Sequence, residues 1–106
     1  MKVVYVAGAF RGKNAWEIHQ NILKAEAVIP SLLARGYAPI VPHLITQNLQ
    51  GLYPDQVYLD MFLEILRRCD AIYMLDNWHS SKGAREELKL AIKLKKDILS
   101  EEIEWK

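Results

Sequence analysis

The chain has 106 residues, of which 51% are hydrophobic and 25% charged, so it can bury one core and form one domain over 1–106. Its 14 basic and 13 acidic side chains leave a formal net charge of +1, which gives no electrostatic case for nucleic acid or an anionic membrane as partner. The sequence contains no apolar run near the ~20 residues of a membrane span, and its apolar start is too short for a signal peptide. We therefore expect a cytoplasmic protein.

The first third of the chain predicts a strand, a helix and a second strand. Residues 3–7 are β-branched or aromatic apart from the last, as in a strand that is buried on both faces. Asn14 is suited to cap a helix that Gly36 ends, and Pro30 predicts that this helix is kinked or divided. The second strand is expected over 37–41, before a proline.

The rest of the chain predicts two further strand–helix alternations. Residues 42–54 have turn chemistry without a period, which predicts a loop over the site. Asp55 is a candidate cap for the helix that follows. The later elements are a third strand, a polar loop, a helix and a last strand, over 71–75, 76–82, 83–95 and 97–99.

Short buried strands that alternate with helices predict a parallel sheet with helices on both faces. The fold class expected is a single α/β domain of the Rossmann or flavodoxin-like type, with four or five strands. In such sheets ligands bind beyond the carboxyl ends of the strands, at a switch in strand order. These ends are residues 8–13, 42–54 and 76–83, and the site is expected there.

The glycine turn over 8–13 directly follows the first strand. Its backbone N–H groups and two cations suit a phosphate or sugar hydroxyls, although it is neither a Walker motif nor a GxGxxG fingerprint. A plain glycine turn with solvated charges explains these residues equally well.

Glu87 is the candidate for chemistry on the helix over 83–95. At ~100° per residue, Glu87 lies roughly 40° from the centre of the apolar face and Glu86 roughly 140° away. An inward carboxylate in the first turn of a helix is costly unless it is used or paired, and the helix N-terminus favours its ionised form. The alternative is an acid that only interacts with the helix dipole.

Three other side chains are considered for a functional role. His43 follows the second strand, and Trp78 lies in the site loop, where it could stack on a base. Cys69 has apolar neighbours, which indicates a buried core thiol. The histidines and Cys69 show no metal-binding spacing, so we predict neither a metal nor a cofactor.

The motif S-x-G-x-x-x-E-L-x-x-A resembles a signature of the nucleoside 2-deoxyribosyltransferase superfamily, including its 2′-deoxynucleoside 5′-phosphate N-hydrolase branch. Residues 4–12 resemble that family's first strand and glycine turn, and residues 63–70 resemble the helix before its third strand. In order, these segments cover nearly the whole chain. The motif is formed by Ser81, Gly83, Glu87, Leu88 and Ala91.

The resemblance implies that Glu87 is a nucleophile that attacks C1′ and releases the base, leaving a deoxyribosyl ester. A second base (transferase) or water (hydrolase) would resolve the ester, so the partner is a small nucleoside or nucleotide. Arg11 and a helix N-terminus suit a 5′-phosphate better than a hydroxyl, unless Arg11 is solvated or pairs with Glu17. The expected substrate-binding residues are Gly8, Phe10, Arg11, Gly12, His43, Asp76, Trp78, Ser81 and Gly83.

The sequence departs from the family at Phe62, where an aspartate usually orients the sugar or the base. Asp60 is close in sequence but roughly 200° away around the helix, in a polar stripe whose i,i+4 pairing explains it. Asp76 or His43 are possible substitutes. If neither acts, the alternative function is a non-catalytic nucleotide-binding or regulatory module on the same fold.

We also expect at least a homodimer. A domain this short has little surface with which to enclose a nucleoside, and related enzymes take residues from a neighbouring subunit. The candidate interface elements are the apolar helix over 59–66 and the kinked helix around Pro30.

Overall fold

The computed structural model describes residues 1–100, so the last six residues of the predicted domain, 101–106, lie outside it. Four parallel strands form one sheet in the order β2-β1-β3-β4. The predicted parallel α/β fold is confirmed. The strands are β1 (Lys2–Ala7), β2 (Tyr37–Ile40), β3 (Ala71–Met74) and β4 (Asp97–Ser100).

Five α-helices accompany the four strands in this part of the chain. They are α1 (Ala15–Glu26), α2 (Ile29–Ala34), α3 (Pro42–Thr46), α4 (Asp55–Arg67) and α5 (Lys82–Lys93). Within residues 1–100 we find no helix with the length and apolar character needed to cross a membrane.

The core lies on both faces of the sheet, because successive side chains of β1 point to opposite sides. Val4 and Val6 pack with buried residues of α1 and α2 on one face. Tyr5 and Ala7 pack with buried residues of α4 and α5 on the other face. Chain crossovers explain this division: the steps from β1 to β2 and from β2 to β3 run in opposite directions, and right-handed crossovers then place their helices on opposite faces.

The strand order reverses at β1, which lies between β2 and β3. The chain leaves β1 towards one edge of the sheet and returns to β3 on the other side. The segments that follow β1 and β3 therefore diverge and leave a crevice at the carboxyl edge, which is where the site was expected.

The helix signals read from residues 14–36 are confirmed. Asn14 caps α1, with its side chain accepting a hydrogen bond from the backbone N–H of Glu17 at 2.9 Å. Pro30 divides the predicted long helix, because it occupies the first turn of α2, where its missing N–H costs no helical hydrogen bond. Gly36, at φ +86°, follows the end of α2.

Two local predictions were wrong. Residues 42–46, expected in a loop, form helix α3, because Pro42 in its first turn has its φ angle preset for a helix. Asp55 does not cap α4; Pro54 holds the cap position, and Asp55 is the first helical residue. The predicted polar loop over 76–82 also contains a short 3₁₀ turn, Trp78–Ser80.

Candidate active site

A cavity of about 510 Å³ opens at the carboxyl edge of the sheet, between the glycine turn, α3, α4 and the start of α5. Of the residues predicted from the sequence, the structure brings seven to this cavity. They are Gly8, Phe10, Arg11, His43, Ser81, Gly83 and Glu87.

Glu87 is buried on the inner face of α5, with 7% of its surface exposed. By contrast, the Glu86 side chain is 42% exposed and lies 3.7 Å from Nζ of Lys89. The two orientations predicted from helical spacing are therefore confirmed. Because α5 begins at Lys82, Glu87 is in the second turn, not the first, and the helix dipole stabilises its charge less than expected.

Tyr5 is the hydrogen-bond partner of Glu87. Its hydroxyl, on the fully buried side chain in the middle of β1, donates to Oε2 of Glu87. Burial raises the pKa of Glu87 to about 7, and the bond from Tyr5 opposes that rise by stabilising the carboxylate. Burial and the facing carboxylate raise the pKa of Tyr5 well above 10, so the hydroxyl keeps its proton and remains a donor.

The glycine turn is held in shape by two asparagines. Oδ1 of Asn77 accepts a hydrogen bond from the N–H of Ala9 at 3.0 Å, and Nδ2 of Asn21 donates to two carbonyl oxygens of the turn at 3.0 and 3.1 Å. Gly8 has no room for a side chain, since a Cβ there would lie 2.5 Å from Cδ1 of Leu75. The turn is therefore a preformed wall of the cavity, and sequence reasoning missed both asparagines.

Arg11 does not pair with Glu17, which was one of the alternatives to a role in phosphate binding. Its Nη2 forms an ion pair with Oδ1 of Asp55, and both side chains line the cavity. Oε1 of Glu17 accepts from the backbone N–H of Lys13 at 2.8 Å. Gly12 lies outside the cavity lining and is required for space, because a Cβ there would be 2.5 Å from Cβ of Glu17.

His43 is buried at the start of α3, with 4% of its surface exposed. Its Nε2 lies 3.0 Å from the carbonyl oxygen of Ala9, which can only accept, so Nε2 carries the hydrogen. Nδ1 is then an acceptor, and it has no partner within residues 1–100. Burial lowers the pKa of His43, which favours this neutral form.

Asp76 and Trp78 lie away from the Glu87 cavity. Asp76 forms an ion pair with Nζ of Lys24 at 2.6 Å, and the Trp78 ring lies 3.9 Å from the ring of His79. Both line a separate hollow of about 230 Å³ beside β4. The structure therefore gives neither residue a place beside a ligand bound at Glu87.

Phe62, at the position where the resembled family has an aspartate, lines the cavity and packs edge-on against Tyr5 at 6.5 Å. Asp60 points away, and its Oδ1 accepts from Nε2 of Gln56 at 2.8 Å. The acids in the described lining are therefore Glu87 and Asp55. Within residues 1–100, no cluster of three metal-ligating side chains occurs.

The family described as "Domain of unknown function (DUF4406)" matches residues 2–100. Among solved structures, the chain is similar to a 2-desoxiribosyltransferase from Leishmania mexicana, with 20% identity and a TM-score of 0.67. The match covers 94% of this chain but only 63% of that enzyme, so the chain spans less than two thirds of its length.

A 2-deoxyribosyltransferase from the psychrotolerant bacterium Bacillus psychrosaccharolyticus is also similar, with 20% identity and a TM-score of 0.65. That match covers 92% of this chain and 70% of the bacterial enzyme. No curated protein matches the sequence significantly. These similarities confirm the resemblance read from the sequence at the level of the fold.

Proposed function

The chain belongs to the DUF4406 family, and we propose that it is an enzyme acting on the N-glycosidic bond of 2′-deoxynucleosides or their 5′-monophosphates. The observation that carries the proposal is the buried Glu87 carboxyl group, held by Tyr5 inside a cavity at the carboxyl edge of the sheet. Burying a carboxylate is costly, so a site that keeps one in a ligand-sized cavity indicates chemical use. Two similar solved structures, both 2-deoxyribosyltransferases by name, support the same class of substrate.

The proposed reaction is a double displacement. An oxygen of ionised Glu87 forms a bond to C1′ while the C1′–N bond breaks, and the departing base nitrogen takes both electrons and then a proton from water. In the second step, the nitrogen of another base or the oxygen of water attacks C1′ and frees the Glu87 carboxylate. Transfer and hydrolysis share the first step and differ only in this acceptor.

Tyr5 is proposed to orient the nucleophile. Its hydroxyl bonds one carboxylate oxygen, Oε2 of Glu87, and leaves the other oxygen free to attack. The pKa of Glu87, about 7, leaves a large ionised fraction at neutral pH. A carboxylate with little hydration is also the more reactive nucleophile, because less water must be removed before it attacks.

The part of the cavity lined by Arg11 and the start of α5 is proposed to hold the substrate's 5′ end. Arg11 and Lys82 bring two positive charges to its lining. Ser81 caps α5 by accepting from the N–H of Ala84 at 3.1 Å, and the N–H groups of Lys82 and Gly83 have no acceptor within the helix. A helix N-terminus with nearby cations is suited to a phosphate. These groups support 5′-monophosphates as the better substrates.

A nucleotide-binding or regulatory module is the second candidate, and Phe62 is the observation that favours it. An apolar ring occupies the position at which the resembled family orients the sugar or base with an acid. Of the two predicted substitutes, Asp76 is outside the cavity, and the lowered pKa of His43 makes it a poor proton donor. A chain that binds a nucleotide but reacts slowly is consistent with these cavity side chains.

Incubation of the purified protein with each 2′-deoxynucleoside and each 5′-monophosphate, with and without a second base, tests the proposal. Free base alone indicates hydrolysis, and an exchanged base indicates transfer. Saturable binding without any turnover supports the module and contradicts the enzyme. If none of these compounds is bound or turned over, the result contradicts both the enzyme and the binding module. A substrate of this kind would be consistent with the cytoplasmic location expected from the sequence.

A further inference from the structure

The ion pair between Arg11 and Asp55 lies in the lining of the cavity. The two residues are 44 positions apart in the sequence: Arg11 lies in the glycine turn, and Asp55 is the first residue of α4. Both line the cavity, yet their side chains remain 66% and 74% exposed. The pair is therefore within reach of a ligand that enters from solvent, and Asp55 is neither a helix cap nor part of the core.

We propose that Asp55 is a specificity-determining residue that reduces, without reversing, the preference for a phosphate over a neutral hydroxyl at the Arg11 end of the cavity. This inference rests on the function proposed above, in which that end of the cavity receives the 5′ group of the substrate. It concerns the balance between two forms of the same substrate and not the bond that is cleaved.

The negative charge of Asp55 opposes phosphate binding at Arg11. The cations of the cavity lining are Arg11 and Lys82, and Asp55 is the acid that pairs with Arg11. Its carboxylate occupies a guanidinium donor, Nη2, that a phosphate would use and repels the phosphate charge as well. Phosphate binding must therefore displace the carboxylate or share Arg11 with it.

The carboxylate of Asp55 can also accept a hydrogen bond from a hydroxyl. Oδ1 of Asp55 is taken by Arg11, while Oδ2 has no partner within residues 1–100. A 5′-hydroxyl can donate to that free oxygen, with Arg11 holding the carboxylate in place. A phosphate dianion has no proton to donate and gains nothing from Asp55. The same carboxylate therefore stabilises one 5′ group and opposes the other.

Asp55→Asn tests the proposal, and Asp60→Asn is the matched control. Asp60 is also an exposed acid on α4, but it bonds Gln56 and lies outside the cavity lining. The first measurement is the affinity for inorganic phosphate, by calorimetry or NMR titration, which needs no turnover. The second is kcat/KM for a 2′-deoxynucleoside and its 5′-monophosphate.

Asp55→Asn should bind inorganic phosphate about 3- to 30-fold more tightly than the wild type and raise the ratio of monophosphate to nucleoside kcat/KM by a similar factor. Adding Arg11→Ala should remove the gain, because the effect acts through Arg11. Phosphate affinities that are equal in Asp55→Asn and Asp60→Asn, including no binding by either, overturn the inference. If phosphate binding tightens as expected but no nucleoside or nucleotide reacts, Asp55 retains its role and the proposed reaction is wrong.

Discussion

The hydroxyl of Tyr5 on β1 donates a hydrogen bond to Oε2 of Glu87 on α5, joining residues 82 positions apart in the sequence. The pair is buried, with Tyr5 at 0% and Glu87 at 7% exposure. It fixes one carboxylate oxygen against the sheet at the edge of the cavity. A chain that needed only a packed core could have used an apolar side chain at position 87, so the pair supports the chemical role proposed for Glu87.

Glu87→Gln should abolish turnover while leaving the fold and ligand binding largely intact. Glutamine keeps the shape and can still accept from Tyr5, but it has no carboxylate to attack C1′. We expect a loss of kcat of about 10³-fold or more, measured as base release. Glu86→Gln, on the half-exposed neighbour, should be nearly silent. Equal losses in the two variants would show that Glu87 has no special role.

The rate should rise with pH through about 7, because Glu87 must be ionised to attack and its pKa is about 7. Tyr5→Phe removes the hydrogen bond that favours the carboxylate, so the pKa of Glu87 should rise and the rising limb of the pH–rate profile should move to higher pH. Tyr37→Phe is the control, since Tyr37 is the first residue of β2 and its ring packs under Arg35, away from Glu87. An unchanged midpoint in Tyr5→Phe, with only a uniform loss of rate, would contradict the role of the bond.

The buried carboxyl should also make stability depend on pH. The pKa of Glu87 is raised in the folded state from its ordinary 4.5 to about 7. Its stabilising contribution is therefore fully present below pH 4.5 and lost as pH rises to about 7, by about 3 kcal/mol in all. Denaturant unfolding from pH 5 to 8 should show the wild type losing stability relative to Glu87→Gln. His43 is present in both proteins, so a difference between their stability profiles reports on Glu87. Parallel profiles would contradict the prediction.

Local pattern was enough to predict much of the fold. The β-branched run of β1, the Asn14 cap and the divided helix at Pro30 each depend on a few neighbouring residues, and each is confirmed. The inward direction of Glu87 followed from helical spacing alone. Helix α3 was missed, because Pro42 was taken only as the end of a strand although proline is equally suited to begin a helix.

Partners that are distant in sequence could not be predicted, because they depend on which strands are neighbours. Tyr5 looked like any strand residue, and the only signal was an aromatic hydroxyl in an otherwise aliphatic run. The bond of Arg11 to Asp55 likewise required the position of α4. Trp78 was expected at the site because the loop that contains it follows β3 at the carboxyl edge of the sheet. Instead, the Trp78 side chain lies in a 3₁₀ turn and packs, like Leu88, against the core.

We predict that the active species is a homodimer or larger. The helix over 59–66 is a poorer interface than expected, since Phe62 and Leu66 are buried within the chain. The exposed apolar side chains of this region instead surround the α3–α4 connection, which also forms one wall of the cavity, so a second copy there would cover the site. They are Ile45, Leu49, Leu52, Tyr53, Val57 and Met61.

Light scattering of the wild type and of two charge-introducing variants tests this prediction. Leu52→Glu should shift the protein toward monomer and lower its activity at least several-fold, because a charge at an apolar interface is costly to bury. Leu33→Glu places the same charge on α2, the other candidate interface. If Leu33→Glu alone dissociates the protein, the interface is at α2, and an active wild-type monomer at assay concentration would contradict both interfaces.

Deoxynucleoside 5′-monophosphates should react better than the nucleosides, and Arg11→Ala should erase most of that preference. We expect Arg11, Lys82 and the N-terminus of α5 together to attract a dianion more strongly than the single carboxylate of Asp55 repels it. A charge-assisted contact to phosphate accounts for about 1.5–3 kcal/mol, so kcat/KM for the monophosphate should fall by one to two orders of magnitude, as roughly 1.4 kcal/mol corresponds to tenfold. The nucleoside should be affected far less, because its 5′-hydroxyl carries no charge for Arg11 to balance. Lys13→Ala removes the other cation of the same turn, which lies outside the cavity lining, and should leave the ratio unchanged. Wild-type protein with equal kcat/KM for a nucleoside and its monophosphate would show that no phosphate contact is made at Arg11.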